Sequence, residues 1–326
     1  MWVMRALPDE LTSGPFSRAR ARELQVSSRM LQGSRFVRVL PDVWRHRDHV
    51  MSEQDWISAA RVVLPDDAQL TDLTRIHQLG LDFGPVLPVR FVVARDHHLS
   101  YDEVFLHRTL RLPPLDEVGV TPAAAFLGSC SRIRVVDAIK VGDWLLHHDH
   151  MTRDQLRDLA LAEPWRAGAP ESLWILDHLD ARSRSLPESE TRAVLNFSGL
   201  PPAAVNLAVP LLDGVVVTSD LVYEKWRQVV EYEGSHHQTD RDQYGSDIDR
   251  YRLMREADVA YVQVTKEKLA HARSLVGEVH RALLRRGYDG PPPQVGDGWS
   301  VLFRPIRSLI DPEYRRRLRA DPAAVS

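Results

Sequence analysis

The sequence predicts a multidomain α/β protein whose C-terminal half carries an αβββαβα unit. Three observations lead there. The chain has 326 residues, long for one domain. Its 44% hydrophobic and 27% charged content belongs to an ordinary globular protein. Helical and strand-like periods then alternate along it, with turn residues between them.

The elements follow in order. Within residues 1–50, "SRARARELQV" and "SSRMLQG" read as two short helices joined near Gln25–Ser27, with Ser17 and Ser27 as N-caps. "SRFVRVLPDVWRH" alternates like a strand pair. Helix, helix and basic hairpin is the order of a winged helix-turn-helix. Residues 51–165 form a middle α/β region: "SEQDWISAARVVLP" is helical, "VLPVRFVVAR" a strand, and "TPAAAFLGSCSRIRVVDAIKVGDWLLHHD" two helices. "HHDH" at 147–150 falls at a helix end, where histidines suit the dipole. His97 and His98 lie in a polar loop.

Residues 166–290 form the third region. A helical stretch at 171–199 breaks near "RSLPES", and strands follow at 204–212, 215–223 and 228–233. A helix at about 241–257, a strand "AYVQVT" at 260–265 and a helix at 266–286 complete it. The uncharged run 193–212 has bilayer-spanning length, but its Asn, Ser, Gly and Pro-Pro read as helix end, turn and strand. Residues 291–326 are an extension holding "YRRRLR".

Charge and cysteine content restrict function. A net charge of −3 gives no global basic field, so a nucleic-acid surface must be local. Residues 1–50 supply one, with nine Arg against five acids. Arg18, Arg20, Arg29, Arg35 and Arg38 are the candidate phosphate contacts; the alternative is a helical lead-in with solvated arginines. One cysteine, Cys130, excludes an internal disulfide, and no signal peptide is visible. Both point to a reducing cytoplasm.

The hairpin around "SDLVYEKWRQVVEYEGSHH" holds the chemistry. If Glu224–Arg227 is a four-residue turn, Tyr223 pairs with Gln228, and Asp220 falls opposite Glu231. Their Cβ atoms would be roughly 5 Å apart on one face, with Glu233 on that face by alternation. Like charges placed so are destabilising beside apolar Leu221, Val229 and Val230. A divalent cation offsets the repulsion, and hard oxygen ligands suit Mg²⁺ or Mn²⁺. Such a site fits phosphodiester hydrolysis, with His237 or the neighbouring His236 near the phosphate.

The ordered motifs Ser185-Leu-Pro-Glu188-Ser189, Gly199-Leu-Pro-Pro, Asp220, Glu231-Tyr-Glu233-Gly234, His237 and Asp247-Ile-Asp-Arg250 resemble the PD-(D/E)XK nuclease superfamily. The likeness is to its branch related to very-short-patch repair endonucleases, and spans about residues 183–286. It implies a restriction-endonuclease-like domain and a metal-dependent DNA endonuclease. Asp220, Glu231 and Glu188 would be metal ligands, with Glu233 and His237 in the catalytic set. Ser185 and Glu188 also satisfy a capping-box pattern that needs no catalysis. The lysine of the superfamily's E-x-K motif is replaced by Glu233. Asp247 and Arg250, three apart on a helix, have a surface ion pair as their ordinary explanation. "FSRARARELQVSSRMLQGSRFVRVLPDVWRH" resembles the winged helix of AbiEi-type antitoxins. The partner implied is DNA, with room for a homodimer. The second reading is a DNA-binding regulator or antitoxin-like protein whose nuclease fold is not catalytic.

Overall fold

The computed structural model describes residues 7–233 and 250–322. It is a mixed helix-and-sheet protein with three small sheets among the described residues. The chain divides into two compact units, Met1–Ala125 and Phe126–Ser326.

In the first unit, β1 (Phe16–Ser17) leads into α1 (Arg18–Glu23), and α2 (Ser28–Leu31) follows. Both expected caps form: Ser17 Oγ accepts from Arg20 N at 3.1 Å and Ser27 Oγ from Met30 N at 3.3 Å. The chain reverses between the helices at Gln25, whose φ is 61°. β2 (Phe36–Leu40) and β3 (Val43–His46) make the basic hairpin, and β1 adds to its outer edge in the order β1-β3-β2. Leu11, Phe16, Ala21, Val26, Leu31, Phe36 and Trp44 form the core of this element set.

Leu40 and Val43 of the hairpin pack instead with Ile57 and Ala60 of α3 (Glu53–Val63) and with Phe91. The helix starts at a capping box, Ser52 with Asp55. A second sheet joins β4 (Gln69–Leu70), β5 (Val89–Val93) and β6 (Val104–Arg108), with β4–β5 antiparallel and β5–β6 parallel. α4 (Asp72–His77) follows β4, and its buried Arg75 donates to Asp116 at 2.6 Å and to Val120 O at 3.1 Å. The division between units falls inside α5 (Pro122–Cys130).

The second unit continues with α6 (Val135–His147), α7 (Arg153–Ala162), α8 (Ala169–Leu176) and α9 (Leu186–Phe197). α7, which the sequence reading did not isolate, is opened by a Thr152–Gln155 capping box. α8 approaches the chain so closely that a Cβ on Gly168 would lie 1.8 Å from Leu127 O, and the φ of Gly168 is 97°. Only glycine fits there. His147 ends α6 and His148 is its C-cap, as expected for "HHDH".

β7 (Ala204–Pro210), β8 (Val216–Tyr223), β9 (Gln228–Tyr232) and β10 (Ala260–Val264) form one sheet in the order β10-β9-β8-β7. β7–β8 and β8–β9 are antiparallel, and β9–β10 is parallel. Residues 250–256 are helical and precede β10. The expected closing helix at 266–286 is two helices, Lys266–Ala270 and Ala272–Arg285, divided at His271. The element order is therefore α-β-β-β-α-β, then this helix pair. Among the described residues no helix is long and apolar enough to cross a membrane. The run 193–212 is helix end, turn and strand, as its composition predicts.

Candidate functional site

The hairpin register follows from its turn. Glu224–Trp226 is one 3-10 turn and Arg227 closes it in the left-handed region at φ 47°. With four residues in the loop, Tyr223 pairs with Gln228, Val222 with Val229 and Leu221 with Val230. The ladder stops there, one step short of Asp220 and Glu231. In place of a backbone acceptor, the Tyr232 amide donates to Asp220 Oδ2 at 2.8 Å.

The neighbouring ladder also breaks at Asp220. On β7, Val205 pairs with Leu221 and Leu207 with Ser219, while Asn206, opposite Asp220, has no place in the register. Asn206 has φ 48°, a left-handed conformation that asparagine tolerates better than most residues but that still costs free energy in a strand. The twist turns its side chain out of the sheet. Asn206 Nδ2 donates to Arg182 O at 2.7 Å and to Glu188 Oε2 at 2.8 Å. Glu188 Oε2 also accepts from Arg184 N at 2.9 Å. The anticipated capping box is thus half made: Ser185 Oγ accepts from Glu188 N at 3.3 Å, but the carboxylate reaches Arg184 and Asn206.

These placements set the electrostatics. Asp220's carboxyl is pushed up to about 7, first by burial, then by the negative charge of Glu188, with Glu231 adding to it. The Tyr232 amide and Arg250 pull the other way without cancelling the rise. Glu231 is 5% exposed, and burial raises its carboxyl also; Arg250 and hydrogen bonds from Ser219 and Tyr251 oppose this, while Glu233 reinforces it. Glu233 Oε1 accepts from Tyr251 Oη at 2.8 Å and from Gln263 Nε2 at 2.7 Å.

Arg250 bonds to the hairpin strands. Its Nη2 pairs with Glu231 and donates to Thr218 O at 2.6 Å. Alternation along β9 puts Glu231 on the face of Val229, which packs with Val222. Met254 packs on those two valines, and Arg250, one helical turn earlier, covers the acidic end of the same face. His236, His237, Gly234 and Asp247 lie outside the described residues.

Arg250, Asn206, Tyr251 and Gln263 were not picked out as partners of the acids by the sequence reading. A left-handed residue mid-strand leaves no pattern, though an asparagine inside "AVNLAVP" is the one polar interruption of that run. The donors match a hard divalent cation in kind and charge: three carboxylates against one guanidinium. In position they do not form a finished cage. Among the described residues no three His, Cys, Asp or Glu side chains converge to hold a metal.

The five arginines singled out near the N-terminus lie in different settings. Arg18 pairs with Asp42 at 3.1 Å and stacks over Trp44, its guanidinium 5.2 Å from the ring centroid. Arg38 approaches the same ring at 5.8 Å. Arg20 is held by Glu10 and Glu23, each at 2.6 Å. Arg29 is exposed and Arg35 half-buried.

Comparison of the chain with protein-family models, curated proteins and solved structures finds no match.

Proposed function

We propose that the second unit carries a metal-dependent endonuclease site and that residues 1–50 form a winged-helix-like DNA-binding module. Residues 166–290 would be the restriction-endonuclease-like domain. The observation that carries this is Asp220: a largely buried carboxyl at a break in two ladders, raised by Glu188 and Glu231. Two neighbouring like charges are kept in a fold at a cost, and function is the usual reason.

Mg²⁺ or Mn²⁺ would be held by Asp220 and Glu231, assisted by Glu188. Such an ion lowers the pKa of bound water and neutralises charge developing on the phosphate. The chain's own part is positional. Asn206 and the Arg184 amide fix Glu188, the Tyr232 amide fixes Asp220, and Tyr251 and Gln263 fix Glu233. Each acid is held through one oxygen, which orients the other. His237 keeps the acid–base or phosphate role that its sequence position implies.

A second reading has its own support. Arg250 already matches Glu231, and no three ligand side chains converge among the described residues. A DNA-binding regulator with a non-catalytic nuclease-like fold would look so. The deciding experiment presents supercoiled, nicked and mismatched DNA to wild type and Asp220→Asn, with and without Mg²⁺ or Mn²⁺. Metal-dependent cleavage that disappears in the variant supports the nuclease. DNA binding without cleavage of any substrate selects the regulator.

A further inference from the structure

The helix Ala272–Arg285 turns a basic face to solvent. Arg273, Arg281 and Arg285 are exposed on it, the second and third about 12 and 18 Å beyond the first along the axis. Among the described residues none of the three bonds a carboxylate. Arg286, next along the chain, does the opposite, holding Asp258 Oδ1 at 2.8 Å and Oδ2 at 3.0 Å. The acids near this face are already matched, Glu278 by Lys268 at 2.8 Å and Glu190 by Lys140 at 2.5 Å. Gly277 sits mid-helix between Arg273 and Arg281, where glycine weakens a helix relative to alanine. A Cβ there would meet Arg281 Nη1 at 3.3 Å, so that guanidinium lies back along the helix toward Arg273.

Beside Arg273 an open groove of about 520 Å³ runs between this helix, Glu190 of α9 and the segment holding Trp299 and Phe303. It is mostly apolar, lined by Leu269, Ala270, Ala272 and the two rings, which meet edge to face at 5.1 Å. Trp299 is 5% exposed and fixed by its Nε1 hydrogen bond to Val194 O at 3.0 Å. Phe303 is half-buried and is the ring a ligand can reach. The Arg273 guanidinium, 5.9 Å from the Trp299 centroid, puts a cation at the rim.

We infer that this face binds a single strand of nucleic acid, with its phosphates on Arg273, Arg281 and Arg285 and one unstacked base in the groove against Phe303. A row of arginines beside an aromatic groove suits a single strand. Guanidinium forks take phosphate oxygens, and every base has a face that stacks. A duplex fits less well, because its bases stack on one another and none can enter the groove. An acidic peptide would use the arginines and leave Phe303 idle. The missing side chain at Gly277 lets a strand backbone approach the helix. His271 and Ser274 at the rim offer polar groups to a base edge. The face belongs wholly to the second unit and needs no metal, so it stands or falls independently of the endonuclease reading.

The test uses the full chain in EDTA and a labelled oligothymidylate about fifteen nucleotides long, with binding read by fluorescence anisotropy across a salt series. Arg281→Gln and Arg285→Gln should each lower the slope of log affinity against log salt by about 0.7, the value for one phosphate on a single strand. Phe303→Leu should weaken binding about tenfold at an unchanged slope, because it removes stacking and no charge. On a duplex of the same length the Phe303→Leu effect should vanish. Thermal melts check that each variant folds. If Phe303→Leu does not, the wild type's preference decides in its place: oligothymidylate bound more tightly than duplex supports the inference, and the reverse order overturns it. Wild-type salt slopes in both Arg281→Gln and Arg285→Gln overturn it, as does no measurable binding of oligothymidylate by wild type at low salt. A folded Phe303→Leu that binds oligothymidylate as wild type does leaves only a polyanion surface, and the single-strand assignment fails.

Discussion

Two buried aspartates in the second unit invite comparison. Asp143 on α6 is fully buried. It accepts from Arg192 Nη2 and from Asp180 N, each at 2.7 Å. Asp220 on β8 accepts from the Tyr232 amide and has Glu188 and Glu231 as charged neighbours. Burial raises both carboxyls. The second cause is opposite in sign: Arg192's charge lowers Asp143, and Glu188's charge raises Asp220 further. A buried charge matched by its opposite fixes the packing of two helices. A buried carboxyl beside its own sign keeps its proton to a higher pH. The two aspartates are thus distinguished by the sign of the neighbour, with burial common to both.

The comparison can be broken most directly at Arg192. Arg192→Ala leaves Asp143 buried and unpaired, and should cost about 3–5 kcal/mol in denaturant unfolding, by the same amount with and without Mn²⁺. A loss below about 1 kcal/mol, or one that depends on Mn²⁺, would remove the contrast with Asp220.

Next in size is the chemistry. Asp220→Asn keeps the acceptor for the Tyr232 amide and removes one charge. Plasmid cleavage should fall by about a hundredfold or more, since water activation and charge neutralisation are both weakened. Wild-type cleavage rates in the variant would make Asp220 a structural acid like Asp143.

A pH series sharpens the same point at lower cost. Asp220's carboxyl titrates near 7 in the folded chain against about 4 in an unfolded one. The folded state therefore binds the extra proton between these values. Its contribution to stability falls as pH rises through that window, and the loss is complete above 7. In metal-free buffer, Asp220→Asn should gain on wild type from pH 4 to pH 8. A difference in melting that stays flat across the range counts against a raised Asp220.

The smallest effects belong to the first unit. Arg18 and Arg38 flank Trp44, and replacing either by Gln should lower the salt slope of DNA binding by about one. Arg20 is already matched by Glu10 and Glu23, and Arg20→Gln should change affinity least. Point variants suit this test, because Leu40 and Val43 share a core with α3 and deletion of residues 1–50 would open it. Salt slopes of DNA binding unchanged in Arg18→Gln and Arg38→Gln would assign those arginines to a solvated surface.

How much was legible varies with the range of the interaction involved. Ser17 and Ser27 were readable as caps because capping acts across three residues. The Tyr223–Gln228 register was readable by counting, since a four-residue turn leaves one register. Arg250's bond to Glu231, nineteen positions away, left no local sign. Asn206 gave only a polar interruption, with no hint of its left-handed backbone. Asp143 and Arg192, 49 positions apart, left no local sign at all.

By itself, then, the sequence determined many of the helices and strands, several of their caps, and the register of the β8–β9 hairpin. Periodicity, caps and turns are short-range effects written along the chain. Only the tertiary structure decided which acids are matched. Whether a carboxylate meets an arginine or another carboxylate depends on how α6, α9 and the β7–β10 sheet pack. Burial then magnifies that difference, because a charge removed from water responds to its nearest neighbours with little screening.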